Sequence, residues 1–192
     1  MIINRSFREF KFRHRSRKNQ ILYTSKKVKN DKDVTNLIDN FLKEKNSFIF
    51  ESVEKGKIKG RYTIFGKNPD KVWEFNKNNS YLIKDKKKIR LNKKPAKLIE
   101  KIIENFKFKI PDGLPPISSI ISGYFSYDSI RYIENIPNNC KDDLKIPDVR
   151  LLRPKTLIIY DNLKKKIFYI LNIFFDEKIS NYPKKYSEIK TE

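Results

Sequence analysis

Three residues stand where their types and spacing can do chemistry: Glu51, Ser52 and Arg61. The apolar run Phe48-Ile49-Phe50 reads as a strand packed into a core, and it ends on the carboxylate of Glu51 and the hydroxyl of Ser52. A polar turn with Gly56 follows, and Arg61 to Phe65 reads as a second strand closed by Gly66. A strand end brings side chains to the rim of a core, where backbone N–H and C=O groups are also open. A carboxylate, a hydroxyl and free amides together can grip a zwitterion such as an amino acid. Arg61, on the paired strand, can meet that ligand's carboxylate through a charge-assisted hydrogen bond of about 1.5–3 kcal/mol. The competing reading is purely structural: Ser52 caps the turn and Glu51 pairs with a lysine, since turns are routinely polar.

The rest of the inventory offers less. His14, the one histidine, lies in a basic stretch and reads as a surface residue. Cys140, the one cysteine, has no histidine near it in sequence and forms no internal disulfide, which fits a reducing compartment. Asp142, Asp143 and Asp148 lack the alternating ligand spacing and central glycine of a calcium loop, so they read as solvated charge. No Gly-rich phosphate loop, zinc spacing or nucleophile elbow is present. Tyr124, Tyr127 and Tyr132 read as core and rim aromatics, and Trp73 as a hairpin packing residue.

The elements that must position these residues follow from pattern. Met1 to Gln20 reads as an irregular basic arm anchored by Phe7, Phe10 or Phe12. Ile21-Leu22-Tyr23 reads as a short strand, and Val34 to Leu42 as a helix with Asp33 as N-cap. Asn68-Pro69-Asp70 marks a turn; Val72 to Phe75 and Tyr81 to Ile83 form a hairpin, to which Ile89-Arg90-Leu91 adds a strand. Pro95 opens a helix carrying Leu98, Ile102, Ile103 and Phe106. After a proline-rich loop, Gly123 to Asp128 reads as a strand, with Asp128 capping a short helix. Thr156 to Tyr160 and Lys166 to Ile173 are two further apolar strands. Several hairpins with two or three packed helices give an α+β fold with a mainly antiparallel sheet. The boundaries expected are an arm over 1–20, one domain over 21–175 and the start of a linker over 176–192.

The chain has 192 residues, 38% of them hydrophobic, enough for one domain with a core. No apolar run reaches the roughly 20 residues of a membrane span. The N-terminus has no secretory apolar core; it is Arg-rich and nearly free of acid, as a transit peptide is, but carries no Ala and few Ser. The net charge of +21 is spread over scattered lysines among many Asn and Ile residues, the pattern of an AT-rich coding sequence. Only Arg5 to Lys18 concentrates charge, and a basic nucleic-acid-binding module built on it is the alternative from another class.

Three segments together resemble one family. Ser47 to Gly66 followed by Asn68-Pro69 resembles the Leu-Leu-Glu-Ser-Val-Glu…Gly-Arg-Tyr-Ser…Gly-x-x-Pro stretch of anthranilate synthase component I, with Ile49-Phe50 in place of Leu-Leu. Gly123 to Glu134 is similar to that family's Gly-Tyr-x-x-Tyr-Asp-x-x-Arg-Tyr-x-Glu. Asp142-Asp143-Leu144…Ile146-Pro147-Asp148 and Leu157 to Asp161 match its acidic loop and the strand after it. The Thr-Pro-Val that members carry before the first helix is absent around Asp33-Val34-Thr35.

The resemblance implies the N-terminal, regulatory α+β portion of an enzyme that converts chorismate, with ammonia from glutamine, into anthranilate and pyruvate for tryptophan biosynthesis. It implies Ser52 as a ligand of the feedback inhibitor tryptophan, with Glu51 as its neighbour in the site; Arg61 is added from the strand-pair argument. It implies no catalytic residue and no cofactor in this chain, with Mg²⁺ expected in the full-length enzyme. The partners it implies are a glutamine amidotransferase subunit and a chorismate-binding domain in cis or in trans, and the location it implies is the cytoplasm. The related aminodeoxychorismate synthases share this architecture, and the Glu-Ser-Val-Glu and Gly-Arg-Tyr wording favours the anthranilate branch.

Overall fold

The structure is a computed structural model that describes residues 3–28, 34, 36, 45–51, 60–137 and 141–191. In chain order its described elements are α1 (Phe7–Arg15), β1 (Gln20–Lys27), β2 (Phe48–Phe50), β3 (Tyr62–Asn76), β4 (Asn79–Lys84) and β5 (Lys87–Leu91). Then come α2 (Pro95–Asn105), β6 (Ser122–Phe125), a 3-10 helix (Tyr127–Tyr132), β7 (Val149–Asp161), β8 (Lys166–Ile173) and α3 (Tyr182–Thr191). The strand pairs β1–β8, β2–β3, β3–β4, β4–β5, β6–β7 and β7–β8 are all antiparallel, so the α+β class with a mainly antiparallel sheet holds. The helix expected from Val34 to Leu42 lies mostly outside the described residues. The chain divides into two compact units rather than one domain flanked by tails. One unit takes residues 1–68, 108–120 and 154–192; the other takes 69–107 and 121–153.

In the first unit β8 lies between β1 and the second half of β7, with Gln20 opposite Ile173 and Asp161 opposite Lys166. Alternation along these strands sends side chains to two faces. Ile21, Leu157, Ile159, Phe168 and Ile170 form one apolar layer, and Phe65, Ile158, Tyr160 and Ile167 form another with Val34. Leu22, Leu171 and Ile173 pack against Phe10 of α1 and Ile189 of α3.

The ends of the chain correct two expectations. Residues 1–20 are not an irregular arm, because Phe7–Arg15 is a helix. Ser6 caps it by accepting the Glu9 N–H at 3.3 Å, and Arg13, His14 and Arg15 sit in the last turn, where positive charge suits the helix dipole. Nor do residues 176–192 read as a linker: α3 brings Tyr182 and Tyr186 against Phe10, with ring centroids 5.8 and 5.7 Å away. His14 is accordingly buried. Its Nε2 faces the Glu177 carbonyl at 3.1 Å and therefore donates, while its Nδ1 meets the Tyr182 hydroxyl at 2.9 Å.

In the second unit β3, β4 and β5 form consecutive hairpins, with Asn76 opposite Asn79 and Lys84 opposite Lys87. The Asp85-Lys86 loop has φ of 50° and 63°, the two positive values that a type I′ turn requires. Trp73, Phe75, Val149 and Leu151 pack with Leu98 and Ile102 of α2, whereas Ile103 stays exposed on the far side of that helix. The turn expected at Asn68-Pro69-Asp70 is instead part of a continuous β3. Asn68 takes φ of 53°, and Asp70 receives the Arg153 Nε at 2.8 Å from β7.

β6 is where this unit depends on a glycine. Gly123 lies opposite Leu151, and a Cβ there would sit 1.9 Å from the Arg150 carbonyl oxygen. Backbone cannot give way as a side chain can, so a methyl group would break the β6–β7 register. Gly123→Ala is expected to lower the unfolding free energy by about 2–3 kcal/mol, measured by urea denaturation; a stability unchanged from wild type would contradict the close approach.

Candidate functional site

The Ser47 to Gly66 stretch is a strand pair, as its pattern indicates. Phe48 lies opposite Gly66, Ile49 opposite Phe65 and Phe50 opposite Ile64. A Cβ at Gly66 would come 2.1 Å from the tip of the Phe48 ring, which lies over the glycine. Ile49 packs with the Phe65 layer and Phe48 with the Leu157 layer, so β2 is held on both faces. It is only partly buried, however, and Phe50 is exposed, which corrects the expectation of a strand packed into a core. Pairing stops at Phe50, and Glu51 is the exposed residue that follows. Ser52, and the rest of the turn through residue 59, lies outside the described residues.

The chain returns at Gly60, with φ of 72°, and Arg61 then makes the strongest polar contact of the stretch. Its Nε donates to Asp161 Oδ1 at 3.1 Å and its Nη2 to Oδ2 at 2.8 Å. The guanidinium carbon lies 4.9 Å from the centroid of the Tyr62 ring, within cation–π range. Asp161 is buried at the end of β7, and its Oδ1 also accepts the Leu163 and Lys164 N–H groups, each at 3.0 Å. Asn162 completes the contact. Its N–H donates to the Arg61 carbonyl at 2.8 Å, and its side-chain amide reaches the Gly60 carbonyl at 3.4 Å.

Burial by itself would push the Asp161 carboxyl up, but the Arg61 fork and the two backbone N–H donors outweigh it and hold the carboxyl below its usual range. The same hydrogen bond pushes the Arg61 guanidinium up. The carboxylate that Arg61 meets is thus internal. The expectation that it faces an effector's carboxylate gives way to a latch between the start of β3 and the end of β7. Neither the spacing of Arg61 nor its residue type signals this, because its partner is a hundred positions away; the Asp-Asn pair at a strand end is the only local trace.

The remaining candidates are dispersed. Asp142 and Asp143 are exposed, and Cys140 lies outside the described residues. Asp148 is a fastener: its Oδ2 accepts the Lys77 N–H at 2.7 Å and the Tyr132 hydroxyl at 2.9 Å. Burial and that hydrogen bond push the Tyr132 phenol well above its ordinary value. Trp73 is buried in the hairpin core, as its position in sequence suggests.

The depressed Asp161 carboxyl gives a signed expectation. Its stabilising share is fully present above the unfolded value of about 3.9 and is lost as pH falls through the lower folded value. Asp161→Asn should cost about 3 kcal/mol at neutral pH. The gap to wild type should shrink as denaturation is repeated at successively lower pH below about 4. A gap that stays constant down to the most acidic folded condition would contradict the latch.

No protein-family model matches the chain. An anthranilate synthase component 1 from Acetivibrio thermocellus is 34% identical over 157 residues, covering 81% of this chain and 32% of the relative. One from Cereibacter sphaeroides is 29% identical over 167 residues, covering 84% of this chain and 33% of the relative. The crystal structure of anthranilate synthase component I from Streptococcus pneumoniae has the same fold over 80% of this chain and 34% of its own, with a TM-score of 0.51 at 19% identity. The chain therefore spans about a third of the length of the curated relatives it matches. With both sequence and fold matched over most of its length, the chain belongs to the anthranilate synthase component I family.

Proposed function

We propose that this chain is the regulatory portion of anthranilate synthase component I and supplies one wall of the tryptophan feedback site through Glu51 and Ser52. The observation that carries the reading is the strand end itself. β2 is fixed by pairing through Phe50, and the chain leaves the sheet at exposed Glu51. A carboxylate beside a hydroxyl at such an end offers an acceptor for an α-ammonium group and a partner for an α-carboxylate. Arg61 enters as a positioning residue. Its fork, committed to Asp161, fixes the start of β3, the strand with which β2 pairs.

No catalytic group is assigned to this chain. Among the described residues, no three His, Cys, Asp or Glu side chains are grouped together. In this proposal the Mg²⁺ of the full-length enzyme is held by the rest of the family's architecture. Conversion of chorismate to anthranilate, and use of ammonia from an amidotransferase subunit, belong to the assembled enzyme in this proposal.

Reconstitution with the remaining portion of a relative, supplied in trans, tests the assignment. Ser52→Ala should raise the tryptophan concentration for half-inhibition about tenfold, the loss of one good hydrogen bond to a charged ligand. A dose–response curve superimposable on that of the wild type would remove Ser52 from the site.

A further inference from the structure

Where the β3–β4 turn, the end of β5 and the approach to α2 meet, the second unit holds a cavity of about 420 Å³. Arg90, Lys93 and Lys94 line it, with three asparagines and Leu91. No carboxylate does. Elsewhere in this unit Lys88 reaches Glu74 at 2.7 Å, Arg131 reaches Asp128 at 2.9 Å and Arg153 reaches Asp70 at 2.8 Å. Lys101 of α2 adds a further cation at the cavity. It comes within hydrogen-bond reach of Lys93, and that contact and its like charge push the Lys93 ammonium down. An anion held between them would relieve this repulsion.

The cations stand on a fixed frame. Ser80, fully buried, donates its hydroxyl to the Lys93 carbonyl at 2.8 Å and lies opposite Leu91 in the β4–β5 ladder. Arg90 donates from Nη2 to Asn79 Oδ1 at 2.7 Å. That bond orients the guanidinium and leaves its other N–H groups to donate. It also commits the Asn79 oxygen, so Asn79 has its NH₂ to offer a ligand. Arginine gives direction and lysine gives point charge, a pairing that suits phosphoryl oxygens.

We propose that this cavity binds a small phosphoryl anion, a phosphate monoester or a diphosphate, through Arg90, Lys93 and Lys94. Three features select this class. The lining cations have no carboxylate beside them in the cavity, so a ligand with more than one negative charge fits best. The donors outnumber what a carboxylate can accept, because Arg90 alone can occupy both of its oxygens. The volume lies in the range of small-ligand sites, yet the lining is polar where such sites are mostly apolar, which favours a hydrophilic ligand. Glu51 belongs to the first unit, so this site neither rests on the effector reading nor tests it.

Titration of the isotope-labelled chain with inorganic pyrophosphate at constant ionic strength, followed by backbone and side-chain N–H shifts, tests this. Saturable shifts are expected at the Asn79 side chain, the Arg90 Nε–H and the Lys93 and Lys94 amides. Arg90→Gln with Lys93→Gln should weaken binding about tenfold or more, since two charge-assisted contacts are lost. Lys93→Gln with Lys94→Gln keeps the Arg90–Asn79 bond and should weaken binding to a similar degree. The replaced side chains are exposed, so the thermal midpoint of each pair should match the wild type. Arg8→Gln with Arg15→Gln, at exposed arginines of α1, removes the same charge elsewhere and should bind as the wild type does.

Shifts that do not saturate, shifts spread over lysines throughout the chain, or equal weakening by the α1 pair would each report net charge alone and overturn the proposal. Wild-type affinity in both cavity pairs overturns it as well. A short oligothymidylate that binds the same residues more tightly than pyrophosphate, at equal phosphate concentration, assigns the cavity to a nucleic-acid backbone and overturns the small-ligand reading.

Discussion

One carboxylate organises the first unit. Asp161, buried where β7 ends, holds four N–H groups at once: two from the Arg61 fork and the amides of Leu163 and Lys164. The amides shape the turn into β8, and the fork ties the start of β3 to that turn. A buried charge without such partners is costly, so the geometry around Asp161 has little freedom. β2 can lie on β3 with Phe48 over Gly66 only if β3 starts where Arg61 puts it. The position of Glu51 at the open end of β2 follows from that constraint.

The second unit uses its family motif in a different way. Gly123, Asp128, Arg131, Tyr132 and Asp148 are residues whose types suggest chemistry, and each has a mechanical task here. Gly123 allows the β6 backbone to approach Arg150, and Arg131 gathers two carbonyls and a carboxylate. Asp148 takes a backbone N–H and a phenol. The resemblance to the family therefore rests, in this unit, on how a short strand and a 3-10 helix are fastened. The side chains left outside that fastening are apolar.

Much of the fold was legible where the signal is local. The hairpins around Trp73 and Tyr81, the Pro95 helix and the Phe48 strand end follow from alternation, helical spacing and turn residues, and all are present. The misses have physical causes. α1 was hidden by its charge, although Ser6 and Glu9 three residues apart are a capping-box pattern and Phe10 and His14 are four apart on one face. β3 runs through Pro69 because Asn68 adopts a left-handed conformation, and a proline in sequence suggests the opposite. The Arg61–Asp161 latch joins residues far apart in the chain, so no window of sequence contains it. The strand end bearing Glu51 was legible, and the partner of Arg61 was not.

The central claim is that the latched strand end forms one wall of an effector site. Titration of the isotope-labelled chain with L-tryptophan, followed by amide chemical shifts, addresses it most directly. Half a pocket leaves the indole wet, so binding in the range of about 1–10 mM is expected. The account predicts shifts concentrated at Phe50 to Ser52 and at Arg61 to Ile64, and their loss in Asp161→Asn. Shifts confined to α1 and α3, or a response unaffected by Asp161→Asn, would contradict it.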